Sequence, residues 1–182
     1  MIPLPSKLHN LQSLPDVLDS VTHDQRIDWL QSLKRTDLSH LWHLCEHTSV
    51  TAGHFCDAQG VIVRHHGKNS LPLFTSFEKR IAITDGQMHG YNHNQGIPAW
   101  FGGPGHFVVR EDGNEVLFDY TVAPLRCPDS FPRFKSNDVG TAKLVFGGMI
   151  DRVRRVSAHC TIGKAFRNGR DEKTWFALIK QA

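Results

Sequence analysis

Apolar residues recur first at helical spacing and later in short alternating runs. Leu14, Val17, Leu18 and Val21 fall at i, i+3, i+4 and i+7, which predicts a short amphipathic helix beginning beside Pro15. Thr22 followed by Gln25 has the spacing of a capping box. Ile27, Leu30 and Leu33 then carry an apolar side to about Lys34. Thr36 or Asp37 offers a cap for a third helix, with Leu38, Leu41, Trp42 and Cys45 on its apolar face. Residues 1–13 hold two prolines and no clear period, and read as an arm on the surface.

After about Ser49 glycine, proline and asparagine become frequent and the period changes to two. Val61–Val63 is a short strand candidate. Leu73 to Ile83 is a longer one, with Leu73, Thr75, Phe77, Lys79, Ile81 and Ile83 on one face. His89, Tyr91 and His93 alternate in the next run. Gly105–Arg110 and Glu115–Val122 form a pair across the turn Glu111-Asp112-Gly113-Asn114. Thr141–Phe146 is a strand candidate ending at Gly147-Gly148, and Ile150, Val153 and Val156 read as either a helical turn or an irregular strand. His159–Phe166 and Thr174–Lys180 make a last hairpin across Asn168-Gly169. Helices come first, then seven or eight antiparallel strands, with no alternating βαβ pattern. A sheet of that size closes or curls to hide its edges. The expected fold is therefore mainly β: an antiparallel barrel or half-barrel with two or three short N-terminal helices. One domain is expected over residues 1–182, with a helical part at 1–48 and a barrel at 49–182.

The composition permits a real core, at 40% hydrophobic and 21% charged over 182 residues. The net charge of +3 is too mild for a dedicated nucleic-acid binder. No run approaches the length of a membrane span, and the start Met1-Ile2-Pro3-Leu4-Pro5 does not read as a signal peptide. Cys45, Cys56, Cys127 and Cys160 lack C-x-x-C spacing and are expected as reduced thiols, which points to the cytoplasm. Charge is uneven: residues 1–125 hold 9 Lys/Arg against 13 Asp/Glu, and residues 126–182 hold 12 against 5. The basic C-terminal cluster, from Arg152 to Arg170, is read either as an anion-attracting face or as a solvated face balanced in space.

Three stretches carry a family resemblance: Met88-His89-Gly90-Tyr91, Pro98-Ala99-Trp100-Phe101-Gly102 and Val116-Leu117-Phe118-Asp119-Tyr120. With Leu144 to Val156 and the closing Ile162-Gly163-Lys164 and Trp175-Phe176-Ala177-Leu178 hairpin, they resemble the small lipocalin-like barrels of the bacterial GXWXG-domain type. The resemblance spans roughly residues 71–182 and implies a barrel with an interior pocket; it brings no reaction with it. The family's glycine-flanked tryptophan would fall near Gln87 to Tyr91, where this chain has none.

Candidate chemistry centres on a few side chains. His89, Tyr91 and His93 share one strand face: facing the lumen they bind a ligand or supply a base, whereas in an exposed loop they are merely solvated. A metal would need His106 or His159 brought in by folding, and none is expected. Lys79 shares its face with Phe77, Ile81 and Ile83, which favours an inward lysine, an anion anchor, Schiff-base former or general base. The opposite phase turns Glu78 and Arg80 inward instead. The Gly96–Gly105 loop with Trp100 and Phe101 is either a cover over an apolar ligand or a plug. Of Arg154 and Arg155, one reaches the lumen; we assign Arg155, against the alternative of a structural ion pair to Asp119 or Asp151. Phe118 and Tyr120 complete the expected ligand-binding set.

These observations lead to a cytoplasmic barrel that binds a small, mostly apolar ligand carrying an acidic or polar group. A second reading is a cofactor-independent cyclase, isomerase or hydratase with His89, His93 or Lys79 as the acid or base. A third is an interaction module using the basic C-terminal face. No cofactor, nucleic acid or membrane partner is expected, and a homodimer is compatible with the sequence.

Overall fold

The computed structural model describes residues 1–73, 75–93 and 103–181. Strands β1 (Ile62–Asn69), β2 (Ser76–Thr84), β3 (Gln87–His93), β4 (His106–Asp112), β5 (Glu115–Asp119), β6 (Met149–Arg155), β7 (Cys160–Arg167) and β8 (Arg170–Lys180) each pair antiparallel with their sequence neighbours. β1 also pairs with β8, so the sheet closes as an eight-stranded barrel without a free edge. Closure explains one departure from the sequence reading and decides one alternative that it left open. Residues 141–146 lie in helix α4 (Gly140–Phe146), because β5 pairs directly with β6 and leaves no edge for another strand. Ile150 and Val153 belong to β6; their three-residue spacing places them on opposite faces of a strand.

Helices α1 (Leu14–Ser20), α2 (His23–Ser32) and α3 (Arg35–Leu44) lie on the outer face of β7 and β8. Thr22 and Gln25 form the expected reciprocal capping box on α2. At α3 the Asp37 carboxylate serves from inside the first turn, accepting from the Lys34 N–H at 2.8 Å and from the Ser6 hydroxyl. Leu14, Leu18, Leu30, Leu38, Leu41 and Trp42 bury against Cys160, Ile162, Trp175, Ala177 and Ile179, forming one core between helices and barrel.

A second core fills the barrel, including Ile81, Phe107, Val109, Val116, Phe118, Val153, Phe176 and Leu178. Three of its rings lie over glycines directly across the ladder: Phe77 over Gly67, Phe107 over Gly90 and Phe176 over Gly163. A Cβ on any of these glycines would overlap the ring facing it. Each pair lets a phenyl group lie flat along the wall and covers backbone that the glycine leaves bare. Phe55, from the segment between α3 and β1, packs on Phe118 at 5.0 Å at one end. Phe146, the last residue of α4, stacks on Tyr120 at 5.2 Å with the rings 8° from parallel.

Candidate functional site

Four polar side chains meet inside the aromatic lumen. Register and alternation turn Phe77, Lys79, Ile81 and Ile83 of β2 inward, so Lys79 is buried and its pair Asn92 on β3 faces it. The Lys79 ammonium donates to Asn92 Oδ1 at 2.8 Å and to the Tyr120 hydroxyl, and lies 3.5 Å from Asp151 Oδ2. Tyr120 in turn donates to Asp151 Oδ2 at 3.3 Å. Asp151 reaches this point because it alternates with Met149 and Val153 on the inner phase of β6. Asn137 fixes the strand ends behind the site, its amide donating to the carbonyls of His106 at 2.7 Å and Tyr120 at 2.8 Å.

Five rings surround the Lys79 nitrogen, with centroids at 4.7 Å (Phe107), 5.1 Å (Tyr120), 5.2 Å (Phe118), 5.3 Å (Phe176) and 5.6 Å (Phe77). Three of these rings are the ones seated on glycines. The cage favours a cation through its π faces, while burial disfavours one. Burial prevails: it brings the Lys79 amine down to about 8, against the pull of Asp151. It also pushes the Asp151 carboxyl and the Tyr120 phenol upward. The cluster therefore holds an amine able to lose its proton near neutrality, a carboxylate able to take it, and a phenol that stays protonated.

A cleft of about 410 Å³ opens at the Phe146 end, lined among others by Pro104, Gly105, Lys135, Asn137, Thr141 and Ala142. Gly105 is shared between cleft and site. It has φ +55°, its Cβ position would overlap the Phe146 ring, and its carbonyl accepts from the Asn92 amide at 3.4 Å. The Phe146 ring thus lies between α4 and the Tyr120 ring.

The remaining candidates lie elsewhere. His89, Tyr91 and His93 do share a face, but it is the outer one, because β3 turns Met88, Gly90 and Asn92 inward. His89 and Tyr91 are covered from outside by Phe131, at 5.4 and 4.7 Å. His106 packs there too, 5.5 Å from Phe134. The aromatic stretch around Arg133 is thus a cover over the barrel wall. Burial pulls His106 down to about 4 and holds His89 below its ordinary value. Arg155 does not enter the lumen: it is exposed at the opposite end and donates to the Ser157 carbonyl. Arg154 stacks on Trp42 and pairs with Glu115 at 2.6 Å, while Asp119 pairs with Arg110. Trp100 lies outside the described residues. Phe118 and Tyr120 line the lumen, joined there by Asn92, which was not singled out from the sequence, and by Asp151, which the sequence offered only as an arginine's ion-pair partner and which pairs with Lys79 instead. Their signal was available: each alternates in period two with residues now seen to be internal, Met149 and Val153 for one, Met88 and Gly90 for the other. Among the described residues no group of three or more His, Cys, Asp or Glu is placed to hold a metal, and no helix is long and apolar enough to cross a membrane.

The chain matches no family model, no curated protein and no solved structure against which it was compared.

Proposed function

We propose that this chain is a small-molecule-binding barrel. Its ligand is mostly apolar and presents one polar group to Lys79, Tyr120, Asn92 and Asp151. The observation that carries the reading is the buried four-membered cluster inside an otherwise aromatic lumen. A barrel that only needed filling is served as well or better by apolar side chains, because desolvating an ion pair offsets much of its attraction. Apolar walls with a few convergent polar groups are the usual composition of a ligand site. The Gly105 and Phe146 side, next to the cleft, is the entrance. Asp151 already supplies the counter-charge to Lys79, so a neutral carbonyl or hydroxyl suits the site better than a carboxylate.

The four free cysteines, three of them buried, support a reducing cytoplasmic setting. The resemblance to bacterial GXWXG-type barrels points toward an interior pocket as well. Acid–base catalysis on the bound ligand is a second reading, favoured by the amine near 8 beside a carboxylate and a phenol. The interaction module is disfavoured, because Arg152, Arg154, Lys164 and Arg167 are engaged by Asp112, Glu115, Asp171 and Glu172.

Native mass spectrometry of protein purified from its own host, followed by denaturation, tests the proposal. The expected result is a small molecule released from the wild type and missing from Lys79→Met/Asp151→Asn. A molecule held equally well by that variant, or failure of the wild type to take up any of a panel of apolar carbonyls and alcohols, would overturn it.

A further inference from the structure

We infer that the lumen ligand is an aldehyde or ketone captured as a Schiff base on Lys79, an inference that rests on the pocket reading above. Three features of the site meet the requirements of imine formation. The nucleophile is an amine buried out of water, and that burial lowers the cost of presenting it unprotonated. A proton acceptor, Asp151, stands 3.5 Å away, and a phenol donor, Tyr120, touches both groups. The product is a cation, and the cage and the carboxylate that now face the ammonium would face an iminium at the same nitrogen.

The step balances without an added reagent. Asp151 takes a proton from the ammonium, and the freed Nζ electron pair attacks the carbonyl carbon. A C–N bond forms and the C=O π pair moves to oxygen, which is protonated from Asp151, with the Tyr120 hydroxyl donating a hydrogen bond to it. The carbinolamine oxygen then leaves as water with a second hydrogen that began on Nζ. One ammonium and one carbonyl give one iminium and one water. The net charge of the site is unchanged, and Asp151 ends as the counter-ion.

The site also explains why this lysine is singled out among the nine in the chain. With its amine near 8, Lys79 carries a roughly two-hundredfold larger neutral fraction at pH 7 than a solvent-exposed lysine near 10.4. The Phe146 ring covers Tyr120, so access from the cleft side requires the ring to leave it. The helix that carries this ring has seven residues and is followed by Gly147-Gly148, and the ring is its buried side chain.

The test uses the full chain, trans-cinnamaldehyde and decanal as carbonyl probes, and the corresponding alcohols as probes that occupy the pocket without forming an imine. Each aldehyde is incubated with sodium cyanoborohydride, and adducts are mapped by peptide mass spectrometry. Uptake of the alcohols is followed by native mass spectrometry. The expected result is a reduced adduct on Lys79 at least about tenfold above those on the other lysines, and suppressed by the matching alcohol, which leaves any adduct on the exposed α-amine of Met1 unchanged. Alcohol uptake without a Lys79 adduct overturns the imine and leaves the pocket standing; neither uptake nor adduct overturns both. Lys79→Met/Asp151→Asn, which removes both charges together, is expected to keep its unfolding transition and lose the adduct. Mapping in the wild type decides the matter even where that variant fails to fold.

Discussion

At the residue scale, the aromatic cage depends on glycines as much as on rings. Gly163 is the clearest case: a methyl group there collides with the Phe176 ring, which must leave the lumen wall. Gly163→Ala is expected to cost about 1–3 kcal/mol, the range for overpacking a filled core. Gly53→Ala, whose nearest neighbour is 3.9 Å away, is expected to change stability little. Urea titration of the two variants checks the contrast, and equal effects would remove the ring-on-glycine account. His65 gives the pH dependence at this scale. It is buried in the lumen with Nε2 at 3.0 Å from the Phe55 carbonyl oxygen, and burial brings it down to about 3. Below pH 6.5 the unfolded chain binds a proton on this ring that the folded chain does not, so stability falls as pH falls. By pH 5 the loss from this one group is about 2 kcal/mol. Asp151, whose carboxyl is shifted upward, acts in the opposite sense, but equally in both proteins when wild type is compared with His65→Gln. The expected outcome is a smaller stability loss between pH 7 and 5 in the variant, read from urea midpoints at the two pH values.

At the element scale, α4 is the part of the molecule on which access to the site turns. It buries Phe146 and leaves Leu144 80% exposed, with Val139 just before it also largely exposed, so most of its surface is not held by packing. Phe146→Ala is expected to cost about 3 kcal/mol, the low end for a buried phenylalanine. It is also expected to raise acetylation of Lys79 by acetic anhydride about tenfold, as for an opening made about 1.4 kcal/mol easier. Peptide mass spectrometry after short exposure reads that change; a stability loss without faster Lys79 labelling would mean that the ring is filler and no gate. This helix is also where the sequence was least legible. Thr141 to Phe146 ends in three large apolar residues and reads as a strand, and nothing local says that the barrel closes without it. The β3 run failed differently. His89, Tyr91 and His93 do alternate, but period two leaves open which phase is internal, and a slip by one residue exchanges the faces. The inner phase is decided by Gly90, which must sit under Phe107, and that is a contact between strands. Lys79 was legible because three large apolar residues share its face. Asp151 was hidden by the three-residue spacing of Ile150, Val153 and Val156, which imitates a helix.

At the scale of the whole molecule, the barrel has apolar side chains on both surfaces of β7 and β8. Phe176 and Leu178 fill the lumen, while Trp175, Ala177 and Ile179 meet the helices, so neither layer is complete without the other. The order of elements, helices first and antiparallel strands after, was legible from the change of period near Ser49. The closure of β1 onto β8 was not, because that register joins residues more than a hundred positions apart. This coupling makes a definite expectation about unfolding. Trp29, Trp42 and Trp175 all lie in the layer between helices and barrel, so their fluorescence reports that layer, with Trp100 the remaining tryptophan of the chain. Far-ultraviolet circular dichroism reports the strands as well as the helices. If the shared surface of β7 and β8 binds the layers into one cooperative unit, urea transitions followed by the two signals coincide in midpoint and slope. Removal of residues 1–47 then leaves Ile162, Trp175 and Ile179 open to water on a closed barrel, and the shortened chain is expected to aggregate. Two separated transitions, or a stable monomeric barrel after that truncation, would show the helices to be an accessory layer and place the stability of the lumen site in the barrel alone.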